Sequence, residues 1–158
     1  MTINEQCDNY LRGQLQRIIT GQTITLVTCG LSYAFRTAAG AVVDKNLEYT
    51  EHPDDMPALV FFSGRHSSST DGAECGMELH TQEYSIEGFI ECNKDGDAGD
   101  DLRTDITAAV KADPWWGGLL WQELQNFETD VAIQNGDTIF AVVKVSFSAV
   151  YAAPYGSE

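Results

Sequence analysis

The sequence predicts an α+β fold, in which an antiparallel-dominated sheet carries two helices packed on one face. Three observations lead to this prediction. The last regular stretch, Thr138–Tyr151, alternates as a half-buried strand does. The Asn135-Gly136 pair before it is a strong hairpin signal. Two other stretches have helical periodicity, and residues 1–158 are enough for a single domain with its own core.

The final strand is predicted to be unusually long. Alternate residues of a strand lie on the same face. On one face of this strand they are all apolar: Ile139, Ala141, Val143, Val145, Phe147, Ala149 and Tyr151. Strands usually have about five or six residues. At about 3.3 Å per residue, this one would be roughly 45 Å long. We expect it to pair antiparallel with Asn126–Ile133 and to stand at the centre of the sheet.

Two helices are predicted, one at the start of the sequence and one about two-thirds of the way along it. Ile3–Ile19 has an amphipathic pattern, with Thr2 and Glu5 forming a capping box and Gly21 closing the C-terminus. Gly13 is its one unfavourable interior residue, costing up to about 1 kcal/mol. The second helix is predicted over Asp101–Ala112, with Asp100 or Asp101 as its cap and Asp113-Pro114 as its end.

The segments after the first helix are short or irregular. Gln22–Cys29 alternates as a strand, and Tyr33–Val43 suits either a broken strand pair or an extended loop. The acidic stretch Asp44–Pro57 is predicted to be an exposed connection with a short strand at Asn46–Tyr49. Ala58–Phe62 is a continuous apolar run, which is typical of an interior strand.

The middle of the chain combines a polar segment with a long strand. Ser63–Gly76 is rich in Ser and Gly and is predicted to be a flexible loop. Met77–Cys92 alternates, and a change of phase near Tyr84-Ser85 indicates a bulge. Trp121–Ile133 is expected to return as a strand or an irregular edge. Ser63–Gly76 and Asp44–Pro57 are too polar to order alone, so we expect them to settle only against neighbouring subunits.

The charge of the chain is its most unusual bulk property. Nine basic and 24 acidic residues give a formal net charge of −15. This balance argues against nucleic acid as a binding partner but is compatible with DNA that only passes by. The beginning of the sequence lacks a signal-peptide pattern, and no apolar run approaches about 20 residues. A cytoplasm-like compartment, reduced thiols at the four cysteines and no membrane contact are therefore expected.

Potential sites for chemistry are few. Asn93, Asp95 and Asp97 mimic the first ligands of a calcium loop, but the required Gly and Glu are replaced by Ala98 and Thr104. The spacing of Cys75, His66 and His80 fits no familiar zinc pattern. These two histidines and His52 all sit in or beside polar stretches, so no buried general base is predicted. The sequence thus predicts no catalytic, cofactor-binding or metal residues, and no enzyme activity.

The order of the segments nevertheless resembles a known family, the tail terminator (tail completion, minor tail protein U-like) proteins of long-tailed bacteriophages. Short pieces of sequence throughout most of the chain carry the resemblance, whereas Gly30–Pro57 and Ser63–Gly76 have no counterpart. The matching pieces are Ile3–Ile19, Ala58–Gly64 (ALVFFSG), Tyr84–Ile90 (YSIEGFI), Asp101–Ala112, Asp113–Leu119 (DPWWGGL), Glu128–Ile133 and Val143–Tyr151 (VKVSFSAVY).

The resemblance implies a structural protein of the virion, assembled in the host cytoplasm. Its subunits would form a hexameric ring at the head-proximal end of the tail. That ring would end growth of the tail tube and join it to the neck, contacting the tail tube protein and connector proteins while DNA passes through. The alternatives are another neck, collar or head-completion component, a small acidic DNA-mimic inhibitor, or an enzyme of unrecognised type.

Two sets of residues follow as candidates for contact surfaces. Trp115 and Trp116 cannot easily face one core together, so one of them is expected at the surface, either as an interface anchor or as simple packing of the helix end. The candidates for the interface are Trp115, Trp116, Arg65, His66, Asp44 and Glu48. The density of acids from Glu91 to Asp105 suggests a negative channel lining, with Asp95, Asp97, Asp100 and Asp101 as the candidates; capping of an outer-wall helix is the alternative.

Overall fold

A computed structural model describes residues 1–44, 56–70, 76–92, 97–135 and 138–156. It confirms the α+β class, with a five-stranded mixed sheet and a separate two-stranded sheet. In chain order the helices and strands are α1 (Ile3–Gln16), β1 (Thr23–Thr25), β2 (Ser32–Ala34), β3 (Ala41–Asp44), β4 (Ala58–Ser69), β5 (Met77–Glu91), α2 (Asp97–Lys111), a 3₁₀ turn (Trp116–Gly118), β6 (Gln125–Asn135) and β7 (Ile139–Pro154).

The five strands lie in the order β3-β4-β5-β7-β6. The predicted hairpin is confirmed, because β6 pairs antiparallel with β7 from Thr129↔Val145 to Asn135↔Ile139. The prediction that the last strand is central is wrong: β5 is the middle strand, and β7 is next to the edge. Alternation shows that one face of a strand is buried. It does not show how many strands lie on each side of that strand in the sheet.

One face of this sheet forms the core under the two helices. Alternate residues of β5 and β7 point into it, and α2 packs on them with Leu102, Ile106, Ala109 and Val110. From α1 come Cys7, Leu11 and Leu15, all with no exposed surface. The opposite face is only partly covered by the described residues, which is the usual arrangement for a largely antiparallel sheet.

Helix α1 begins as predicted and ends early. The Glu5 amide donates to Thr2 Oγ1 at 3.1 Å, and the Thr2 amide donates to Glu5 Oε2 at 2.8 Å, so the capping box is confirmed. The helix ends at Gln16 rather than near Ile19. Ile18 remains buried in the core beyond the helix end, which explains why its apolar character extended the predicted periodicity.

Helix α2 begins four residues before its predicted start, at Asp97. Asp97 and Asp100 lie in its first turn, where carboxylates favour the positive end of the helix dipole. Gly99, also in this turn, allows the helix to lie directly on the sheet. A Cβ at Gly99 would be 2.7 Å from Ala141 Cβ and 2.9 Å from Val131 Cγ1.

The prediction of a flexible loop at Ser63–Gly76 is wrong for its first half. Strand β4 continues to Ser69, and its exposed second half pairs with β5 from His66↔Gln82 to Ser69↔Leu79. The predicted bulge also lies on the other strand. β4 shifts register between Ser63 and His66, opposite Glu83, whereas β5 runs without a shift along β7.

The described residues cover part of the region between α1 and β4. The predicted strand at Gln22–Cys29 is reduced to β1, which pairs antiparallel with β2. Tyr33–Val43 includes parts of two strands, β2 and β3, and β3 runs parallel to β4. The short strand predicted at Asn46–Tyr49, and most of the Asp44–Pro57 connection, lie outside the described residues.

The contact at Gly99 gives a test of how closely α2 approaches the sheet. Gly→Ala normally stabilises a helix interior by about 1 kcal/mol. We expect Gly99→Ala instead to lower the free energy of unfolding by about 1–3 kcal/mol, because the new methyl meets Ala141 and Val131. Gly13→Ala in α1 is the matched control, since no atom lies within 4 Å of its added Cβ.

Urea unfolding of both variants measures the difference. Gly13→Ala should raise stability by about 0.5–1 kcal/mol. A stabilising Gly99→Ala would mean that α2 does not touch the sheet at this point.

Candidate interaction surfaces

The two adjacent tryptophans face opposite ways. Trp115 is 40% exposed, so it stays a candidate for an interface. Trp116 has no exposed surface, stacks on Tyr10 at 5.4 Å between ring centroids, and donates its Nε1–H to the Val110 carbonyl at 3.2 Å. The prediction that Trp116 forms part of an interface is therefore wrong, because its ring fills the core between α1 and α2.

The turn that separates these rings is held by Asp113. Its carboxylate accepts the Trp115 amide at 3.0 Å and the Gly117 amide at 2.8 Å. Trp116 adopts a φ of 50°, a conformation that a bulky residue rarely adopts, and Gly117 and Gly118 also have positive φ. Burial of the Trp116 ring offsets this backbone strain, and the turn directs Trp115 to the surface.

The acidic channel candidates divide into three groups. Asp97 and Asp100 are exposed, and Asp100 lies 3.4 Å from the Arg103 guanidinium. Asp101 is partly exposed and lies 3.3 Å from Arg36. Asp95 lies outside the described residues. The exposed carboxylates at the start of α2 are thus partly balanced by nearby arginines, which weakens the negative field they would present to a channel.

Asp105 belongs to the interior, although the density of acids placed it with the channel cluster. It has no exposed surface. Its carboxylate accepts the Tyr33 hydroxyl at 2.7 Å, the Arg36 amide at 3.1 Å, and both the amide and the hydroxyl of Thr37. Asp105 therefore joins α2 to the segment between β2 and β3, and it cannot line a channel.

The other interface candidates lie in different environments. Asp44 is buried and lies 3.1 Å from the Arg12 guanidinium on α1, so its prediction as an interface residue is wrong for the isolated subunit. Arg65 and His66 are exposed on the second half of β4. Glu48 lies outside the described residues. Trp115 and the pair on β4 thus remain surface candidates, at positions that sequence reasoning had assigned to a corner and a loop.

The edge strand β6 is a surface that the sequence did not single out. It ends the sheet, and no described strand pairs with its outer side. Nine of its eleven residues are exposed, and among them Ile133 is 42% exposed. Long unpaired edges readily accept a strand from another chain, so β6 is a candidate for contact between subunits.

Two tyrosine hydroxyls donate to carboxylates at the border of the core, one on α1 and one on α2. Tyr84 donates its hydroxyl to Asp8 Oδ1 at 2.7 Å. Burial raises the pKa of Asp8, opposed by the hydrogen bond from Tyr84, and burial together with the Asp8 charge raises the pKa of Tyr84 well above its usual range. Burial and the hydrogen bond to Asp105 likewise raise the pKa of Tyr33. These tyrosines remain neutral donors that fix carboxylates in the structure.

A histidine pair was missed as a feature of the fold. His80 on β5 is 2% exposed, which contradicts the expectation that the histidines lie only in polar surroundings. Its Nδ1 lies 3.0 Å from His66 Nε2. The signal was present in the sequence, because His80 shares its strand face with Tyr84 and Ile86, both of which are core residues.

Comparisons with known proteins add no family assignment. No family model matches this chain, and no curated protein matches it. Among the described residues, no helix has the length and apolar character needed to span a membrane. The inference of function therefore depends on the surfaces described above and on the resemblance of the order of segments to that of tail terminators.

Asp105 gives a clear test of which acids are structural. Replacing it with Ala leaves the donors of Tyr33, Arg36 and Thr37 without their acceptor in a buried site. We expect Asp105→Ala to lower the free energy of unfolding by about 2–4 kcal/mol. Asp101→Asn is the control, since an exposed ion pair such as that with Arg36 contributes at most about 1 kcal/mol.

Denaturant titrations of the two variants at neutral pH measure these effects. Equal, small losses for both would contradict the assignment of Asp105 as the link between α2 and the segment after β2.

Proposed function

We propose that this chain is a structural subunit of a tailed bacteriophage particle, which assembles into a ring at the head-proximal end of the tail. The ring ends growth of the tail tube and joins the tail to the neck. The proposal rests on the resemblance of the sequence order to tail terminators. The α+β architecture, with two helices on one face of a mainly antiparallel sheet, agrees with the fold that this resemblance implies.

The structural observation that carries the proposal is the open edge of the sheet. Strand β6 spans Gln125–Asn135 and presents its outer backbone groups away from β7. Contacts that repeat head-to-tail around a closed ring need two different surfaces on each subunit. The β6 edge with Ile133 and the corner with Trp115 supply two such surfaces, each with an exposed apolar side chain.

The charge distribution supports the role of DNA as cargo. Asp44 and Asp105 are used inside the fold, but the net charge of −15 leaves the surface strongly acidic. Such a surface repels phosphates over roughly a Debye length, about 8 Å at physiological salt. A ring of these subunits would let DNA pass without binding it.

Genetic complementation tests the role directly. Inactivation of the gene in the phage that encodes the chain should give tails of irregular length that lack heads, and the wild-type gene should restore joined particles. We expect Trp115→Ser and Ile133→Glu to complement poorly, since loss of a central interface side chain costs about 2 kcal/mol, or roughly thirtyfold in subunit affinity.

Leu31→Ser is the matched control. Leu31 is 65% exposed beside the β1–β2 pair and belongs to neither surface, so this variant should complement as the wild type does. Particles with joined heads and tails of normal length in the absence of the gene would contradict the proposed function.

A further inference from the structure

Three adjacent strands bring two imidazoles and a phenol together at one end of the sheet. His80 on β5 lies opposite Ser68 on β4 and opposite Tyr151 on β7, and His66 is two residues before Ser68. His66 Nε2 lies 3.0 Å from His80 Nδ1 and 3.3 Å from the Tyr151 hydroxyl oxygen. The three rings lie in nearly parallel planes, with interplanar angles between 7° and 15°.

The second nitrogen of His80 faces a carboxylate. His80 Nε2 lies 3.0 Å from Glu78 Oε1, on the same face of β5. The two atoms are within ion-pair distance, but their directions do not make a hydrogen bond, so Nε2 is a buried polar atom without a hydrogen-bond partner. A buried imidazole nitrogen without a hydrogen bond destabilises the folded chain unless the ring is turned toward an acceptor.

We propose that His66 and His80 bind a divalent transition-metal ion such as Zn²⁺, with Tyr151 beside the ion and Glu78 behind His80. Nitrogen ligands bind Zn²⁺ at about 2.0–2.1 Å, so two nitrogens on one ion lie about 3 Å apart. His66 Nε2 and His80 Nδ1 already have this separation. Imidazole is a ligand that suits Zn²⁺, Cu²⁺ and Ni²⁺.

Glu78 provides the outer contact that such a site needs. A histidine that binds a metal through one ring nitrogen usually donates its other N–H to a carboxylate or carbonyl, which fixes the tautomer. With Nδ1 of His80 on the metal, Nε2 carries the proton, and a small rotation of the ring or of the carboxylate would turn that N–H toward Glu78 Oε1, 3.0 Å away. After this adjustment, His80 Nε2 would donate to Glu78 while His80 Nδ1 binds the ion.

Proton placement is compatible with metal binding. Without metal, one N–H is shared between His66 Nε2 and His80 Nδ1. When the ion takes both lone pairs, His66 holds its proton on Nδ1, and its exposed position on β4 permits this tautomer. In the part of the chain that the structure describes, no group of three His, Cys, Asp or Glu side chains forms a cage. Among the described residues, then, only His66 and His80 supply nitrogen ligands, and we expect water to occupy the other positions around the ion.

The ion would strengthen the attachment of the outer half of β4, which has few contacts with the core besides the His66 ring. The residues of β4 from Gly64 to Ser69 are exposed, and from His66 onward they pair with β5 through the backbone. Gln82 reinforces this end by donating to the Gly64 and Arg65 carbonyls. A metal between His66 and His80 joins the exposed half of β4 to the buried strands β5 and β7.

Calorimetric titration of the purified, metal-free chain with Zn²⁺ tests the proposal. We expect the wild type to bind one Zn²⁺ at this site with micromolar affinity or tighter, and His66→Gln to lose that site. His66 is exposed, so this variant should fold normally, as its far-ultraviolet circular dichroism would show. Glu78→Gln should retain the site with an affinity about 10–100-fold weaker.

An acidic chain is expected to bind some Zn²⁺ weakly through surface carboxylates. The variant His52→Gln is the control for binding through the remaining histidine, and it should bind Zn²⁺ as the wild type does. In thermal denaturation, Zn²⁺ should raise the midpoint for the wild type and for His52→Gln but not for His66→Gln. Absence of a saturable site in the wild type, or a site that His66→Gln leaves unchanged, would overturn the proposal and leave the two rings joined by a simple hydrogen bond.

Discussion

The pairing of β5 with β7 is the constraint on which the rest of the structure depends. The two strands run antiparallel without a register shift from Met77↔Pro154 to Glu91↔Phe140. This continuous pairing fixes one wide face, on which alternate residues of both strands form the core. Helix α2 lies across β5, β6 and β7, and β4 and β6 extend the sheet on either side. A slip of one residue between β5 and β7 would turn all of these side chains to the other face.

Buried polar contacts join the remaining segments to this frame. Asp105 holds the chain from Tyr33 to Thr37 against α2, and Arg12 holds Asp44 at the end of β3 against α1. The chain has 24 acidic residues, and a local excess of them in the sequence does not show which are buried, as Asp105 and Asp44 are, and which are exposed. Removing one partner of such a contact costs more than the contact contributes, because the other partner stays buried. Only acids that make no such buried contact, unlike Asp105 and Asp44, are therefore available at the surface for contacts with other subunits.

The strongly patterned parts of the fold could be predicted from sequence. The capping box at Thr2 and Glu5, the hairpin after Asn135 and the alternation of β7 are local signals, and the structure has each of them. The order of strands depends on pairings between distant segments, so the central position of β5 was not readable from alternation. The second half of β4 is polar and exposed, and only its backbone pairing with β5 makes it a strand.

The candidate surfaces were predictable to a smaller extent. That one of two adjacent tryptophans faces solvent follows from geometry, but which one depends on the turn at Asp113. Asp105 falls on the buried stripe of α2 with Leu102 and Ile106, a position that periodicity indicates and that charge counting overlooked. The meeting of His66 with His80 depends on the register shift in β4, which has no clear signal in the sequence.

The central claim is that this chain forms a ring between head and tail. Cryo-electron microscopy of intact particles that carry the chain, at a resolution that distinguishes helices from strands, tests it most directly. The account predicts a ring of subunits with the α+β fold at the head-proximal end of the tail, in which the β6 edge and Trp115 lie between neighbouring subunits. Density for this fold elsewhere in the particle, and none at the head-proximal end of the tail, would contradict it.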